Sequence, residues 1–175
     1  MGTKRIGLAR VEALLENLKR EIAWGTSTMK GTQKQVIASG GGTTVLTGDQ
    51  SGAYCLFDTA ATSQFTLPAA VTGMEFTFIT IVTATADHVI TVNTPNTDGF
   101  LGGVLSVSTT AAKSDSFDAD ADGSNDFITL DGATTGGAVG TRIHVVAIDD
   151  EDWAVDGQVC CIGSSTATPF GDAQL

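Results

Sequence analysis

Asp118, Asp120, Asp122 and Gly123 stand in the run DADADGSND with the spacing of positions 1, 3, 5 and 6 of a calcium loop, and Asp126 falls at position 9. Carboxylates at alternate residues can converge on one hard cation, and glycine at the sixth place permits the sharp turn. Position 12, where such a loop places a bidentate glutamate, is occupied by Thr129. The flanking residues read as strands, which argues against an EF-hand. The missing ligand favours a solvated acidic turn, with Ca²⁺ held by Asp118, Asp120, Asp122 and Asp126 as the alternative left open.

The remaining chemistry-bearing residues form no catalytic set. Asp149, Asp150, Glu151 and Asp152 are consecutive, whereas glycoside hydrolysis needs two carboxyl groups held apart across a cleft. His88 and His144 fall within strand patterns without a cysteine beside them, and a structural role is expected of both. No GxSxG, HExxH, phosphate-loop or dinucleotide fingerprint occurs; the glycines at 40–42 and at 136–137 lack the helix and lysine that phosphate binding requires. A non-enzymatic role without a cofactor is expected. Cys55, Cys160 and Cys161 are odd in number, and two are adjacent in an apolar strand. Buried free thiols are expected, with a single bridge from Cys55 to one of the pair as the alternative.

The elements that would position these residues are strands. Apolar alternation bounded by turn residues marks candidates at 43–47, 53–58, 64–67, 74–83, 88–93, 104–108, 113–117, 127–131, 142–148, 153–156 and 159–162. The most prominent stretch is FTLPAAVTGMEFTFITIV, residues 65–82. There Pro68 and Gly73 mark a turn, and a strand carrying Met74, Phe76, Phe78 and Val82 on one face follows. Its other face passes from Glu75 and Thr77 to Ile79 and Ile81, the pattern of a central strand covered on both sides. Asp156-Gly157, between two short apolar runs, predicts a two-residue hairpin. No regular repeat period indicates a solenoid. The expected fold is mainly β: an antiparallel β-sandwich or jelly-roll-like body behind a short N-terminal amphipathic helix.

That helix is expected over residues 3–22. Leu8, Val11, Leu15, Leu18 and Ile22 alternate at intervals of three and four, the spacing of an a/d seam, and Glu16 precedes Arg20 by one turn. Two heptads are marginal alone, so the seam must pack against its own domain, symmetric copies or a partner surface. Residues 25–42 read as a polar linker, which divides the chain into an arm, 1–42, and a body, 43–175. Charge follows the same division. Residues 1–35 hold seven basic groups against three acids, and the other 140 residues hold two against seventeen. An acidic body repels nucleic acid, and a basic arm suits an acidic surface. Apolar runs are too short for a membrane span, and no secretory signal is recognised.

Taken together, TKRIGLARVEALLENLKREI, LPAAVTGMEFTFI, NDFITLDGATTGGAVGTRIHVVAI, DWAVDG and the closing ATPF resemble small structural proteins of tailed bacteriophages. The resemblance runs over most of the chain and rests on the order of these motifs. It implies an accessory virion component, foremost a capsid decoration (cement) protein. Such a protein sits on the outer capsid surface, binds the major capsid protein and associates with itself, commonly as a trimer. On that reading Leu8, Val11, Leu15, Leu18 and Ile22 are apolar anchors, and Arg5, Arg10 and Lys19 are their charged companions. The alternative is a tail fibre or knob protein that recognises host surface glycan.

Overall fold

A computed structural model of the chain describes residues 10–16, 34–95, 97–110, 112–164 and 167–172. Contacts divide the chain into two units, Met1–Gln33 and Lys34–Leu175. In the first, residues 10–16 are helical and exposed. Arg10, Val11 and Leu15 lie in that helix, with Val11 40% and Leu15 59% accessible. Arg5, Leu8, Leu18, Lys19 and Ile22 lie outside the described residues. Among the described residues no helix is long and apolar enough to cross a membrane.

The second unit is a sandwich-like β body. Its strands are β1 (Val36–Ala38), β2 (Gly42–Val45), β3 (Tyr54–Phe57), β4 (Ser63–Thr66), β5 (Glu75–Thr80) and β6 (His88–Thr91). They are followed by β7 (Gly99–Ser108), β8 (Ser114–Asp118), β9 (Phe127–Leu130), β10 (Arg142–Ala147), β11 (Asp152–Cys161) and β12 (Phe170–Gly171). One sheet runs β1-β3-β5-β10-β11-β7-β8 and the other β12-β9-β6-β4-β2.

Chain order explains how the body is built. From β1 to β6 the chain alternates between the two sheets, and the strands it lays down in each are parallel. Three turns of a coil are thus stacked on one another. The second half closes the coil with antiparallel pairs: β10 on β5 in one sheet and β9 on β6 in the other. The sheets are therefore mixed rather than antiparallel. The coil escapes detection as a repeat because its connections differ: a single 3₁₀ turn, Gly48–Gln50, follows β2, whereas the Pro68–Gly73 segment follows β4.

The core forms where the two sheets face each other. Phe57 of β3 meets Phe65 of β4 edge-on at 5.1 Å, and Phe65 lies 5.6 Å from Phe78 of β5. Trp153 packs 6.1 Å from Phe76 and is fully buried. Each such aromatic removes a large apolar area from water, a contribution of about 2–3 kcal/mol apiece. His88 belongs to this layer too, stacked on Phe57 at 4.5 Å with its Nε2 2.8 Å from the Thr59 carbonyl oxygen. Cys55, Cys160 and Cys161 are buried and unbridged, and burial pushes the Cys55 thiol up to about 12.

Four sequence expectations need correction. Asp156-Gly157 makes no hairpin: β11 passes straight through it, paired with β7 over its whole length and with β10 from Gln158 to Trp153. Gly157 is there for proximity, since a Cβ at that position would lie 2.4 Å from the Arg142 carbonyl oxygen. β7 begins at Gly99 instead of residue 104, its first half disguised by glycines that apolar counting skips. β5 ends at Thr80, leaving Ile81 and Val82 47% and 37% exposed. Finally, residues 36–38, read as linker, pair in parallel with β3, so the body begins at Lys34 and not at residue 43.

Candidate functional site

The acidic run is dispersed by the fold. Asp118 ends β8 opposite Gly103, and Asp126 is buried, its amide donating to the Gly171 carbonyl. Between them the turn satisfies itself: the Asp120 amide donates to Asn125 Oδ1 at 2.7 Å, and the Ser124 amide to Asp122 Oδ1 at 3.2 Å. Bonds from Ser124 hold the Asp122 carboxyl below its ordinary value. Among the described residues no three His, Cys, Asp or Glu side chains converge to hold a metal ion. Asp149 likewise accepts from the amides of Asp152 at 2.7 Å and Glu151 at 2.9 Å. These bonds, the Asp152 one foremost, lower its pKa. That is the chemistry of a turn.

The outer face of the seven-stranded sheet carries a different set. Tyr54, Thr77, His144 and Asp156 are successive register partners across β3, β5, β10 and β11. Period-two geometry points all four side chains to one face. His144 lies between two carboxylates, Nε2 3.4 Å from Glu75 Oε2 and Nδ1 3.2 Å from Asp156 Oδ1. Lys34 Nζ is 3.1 Å from Glu75 Oε1 and 5.4 Å from the centre of the Tyr54 ring. A chain of polar contacts thus runs from Lys34 through Glu75 and His144 to Asp156. A neutral imidazole donates to only one of its two carboxylate neighbours, whereas a protonated ring donates to both.

A hollow of about 510 Å³ opens over this row. Its floor is low because Thr77 is small and almost fully buried. Arg142 and Gln158, register partners on β10 and β11, form one wall, and Tyr54 with Lys34 forms another. The hydrogen bond from Lys34, then its charge, hold Glu75 below the usual carboxylate range, with His144 adding to the effect. Glu75 and Lys34 are both about two-fifths exposed, so the pair adds little to stability. A second groove, of about 720 Å³, lies along β7 and β8 and is lined by Gly102, Gly103, Leu105 and Phe117 among others.

Residue types alone did not single out this hollow. A structural role describes His88, which is fully buried, but His144 is 29% exposed and engaged with two acids. The signal lay in alternation: Arg142 and His144, and Asp156 and Gln158, are polar residues two apart on strands whose intervening residues are apolar or glycine. What joins the two pairs is register, and the expected hairpin at Asp156-Gly157 would have separated Asp156 from Gln158. No family model matches the chain, and no curated protein or solved structure matches it.

Proposed function

We propose that the chain is a non-enzymatic structural component of a virion, a capsid decoration protein that binds the outer surface of a tailed-phage shell and stabilises it. The observation that carries this reading is the division of charge at the boundary between the two units. Residues 1–33 hold six basic and three acidic groups, net +3, whereas residues 34–175 hold three basic and seventeen acidic groups, net −14. An acidic β body stays soluble and resists collapse onto nucleic acid, while the basic segment is attracted to an acidic protein surface.

In this reading Arg5, Arg10 and Lys19 meet acidic groups of the major capsid protein. Leu8, Val11, Leu15, Leu18 and Ile22 supply the apolar contact, either to the shell or to two further copies in a trimer. Exposure of Val11 and Leu15 in the helix of residues 10–16 supports the assignment. Binding that bridges shell subunits favours the assembled state by mass action.

The test is deletion of residues 1–24. Co-sedimentation with empty capsids should be lost while the circular dichroism of the β body persists; a truncated protein that still co-sediments with the shell overturns the assignment. Light scattering of the full chain is expected to report a trimer.

A further inference from the structure

We propose that the hollow on the outer face of the seven-stranded sheet is a binding site for a neutral saccharide. This goes beyond the structural role above and does not depend on where in a particle the chain resides. Three observations carry it.

The first is local charge. The body is strongly acidic, with Lys34, Lys113 and Arg142 as its basic residues. Two of these three border the hollow, while Lys113 pairs with Asp115 at 2.9 Å. Against Lys34 and Arg142 stand Glu75 and Asp156, so the formal charge around the hollow is zero with His144 neutral. A phosphate site would concentrate donors, and a metal site would concentrate acceptors. Balance suits an uncharged ligand.

The second is the mixture of donors and acceptors. Arg142 only donates, Asp156 only accepts, and Gln158 and Thr77 do both. A sugar hydroxyl is itself both donor and acceptor, so vicinal hydroxyls match a wall where guanidinium, amide and carboxylate stand on adjacent strands. Asp156 retains acceptor capacity for this: its side chain is 80% exposed, and its ion-pair contact with His144 is made through Oδ1.

The third is shape and rigidity. The volume of about 510 Å³ lies within the roughly 300–1,000 Å³ typical of small-ligand sites. Tyr54, Thr77, Arg142, His144, Asp156 and Gln158 are all strand residues, which fixes their positions before a ligand arrives. Tyr54 adds an aromatic ring bearing a hydroxyl, a residue type suited to the alternating C–H and O–H surface of a pyranose.

Saturation-transfer NMR on the full chain, with glucose, galactose, mannose, N-acetylglucosamine and their disaccharides at millimolar concentration, tests the proposal. Sialylated and sulfated sugars form a second arm. At least one neutral sugar should give transfer, and its affinity should fall about tenfold in both Arg142→Ala and Asp156→Ala, the loss of about one hydrogen bond to a charged group. Thermal unfolding of both variants should match the parent, since both residues are exposed. Transfer to none of the neutral sugars, transfer only to the anionic ones, or binding that neither substitution weakens would each overturn it.

Discussion

The ammonium of Lys34 lies 3.1 Å from Oε1 of Glu75, which ties the first residue of the β body to a strand in the middle of the larger sheet. Lys34 precedes β1, an edge strand whose pairing with β3 is framed by the Tyr54 amide bond to the Gln35 carbonyl and the Ser39 amide bond to the Leu56 carbonyl. Both side chains are about two-fifths exposed, and exposed ion pairs contribute below about 1 kcal/mol. Its effect is therefore local. Lys34→Ala should speed hydrogen exchange at Ser39 and Tyr54 with little change in global stability, and a Lys34/Glu75 double-mutant cycle should give a coupling that shrinks with added salt. A coupling of several kcal/mol would contradict the exposed geometry.

His88 makes the body sensitive to acid. Its ring is fully buried on Phe57, Nε2 donates to Thr59, and among the described residues Nδ1 has no partner. Burial lowers its pKa, outweighing the Thr59 bond and the charge of Asp87. The unfolded chain then binds a proton more readily than the folded one. The stability tied to neutral His88 is present above the ordinary imidazole pKa, about 6.5, and is lost as pH falls from there through the lowered folded value. Urea midpoints should drop across this window. In His88→Phe, which keeps the stacked ring, that slope should flatten, while stability at pH 8 falls by about 1–2 kcal/mol because the Thr59 carbonyl loses its donor.

Gly157 distinguishes a continuous strand from a hairpin. Gly157→Ala would drive a methyl group against the backbone of Arg142 and Ile143, with 2.4 Å to the carbonyl oxygen and 2.9 Å to the Cα. Backbone cannot yield as a side-chain tip does, so a loss of about 2–4 kcal/mol is expected in chemical unfolding. Gly48→Ala is the internal comparison. There the obstacle is the terminal methyl of Met74 at 2.9 Å, free to turn away, and the loss should stay below about 1 kcal/mol. Equal effects at the two positions would argue against the close approach of β10 and β11.

These cases also mark what a single sequence discloses. Phe76 and Phe78 were legible as core and β5 as a central strand, because alternation of bulky apolar residues is a local property. Parallel pairing was not legible, since it joins segments such as Tyr54–Phe57 and Glu75–Thr80 through connections of unequal length that leave no fixed period. Glycines misled twice, at Gly157 and along Gly99–Gly103, because the same residue permits a tight turn and a close strand approach. The hollow stayed hidden for a related reason: Glu75, His144 and Asp156 lie on three strands and meet only through register.

Asp131 offers the clearest acid-side prediction. Burial raises its pKa, but bonds from the Thr134 hydroxyl and from the amides of Thr135, Thr134 and Ala133 outweigh that and bring it to about 2. The amide bonds measure 2.9 Å from Ala133, 2.7 Å from Thr134 and 2.9 Å from Thr135. They fold the connection from β9 toward β10, which returns through a Gly132 amide bond to the Gly136 carbonyl. With the folded pKa depressed, the stabilisation is complete above the unfolded value of about 3.9 and is lost as pH falls from there through the folded value of about 2. Asp131→Ala should cost about 1–2 kcal/mol at neutral pH, a figure reduced by the partial exposure of the carboxylate. The gap between variant and parent should have shrunk to a small fraction of its neutral-pH size by about pH 2, as read from urea midpoints. A gap that persists undiminished at pH 2 would mean that the residue acts through packing and not through its charge.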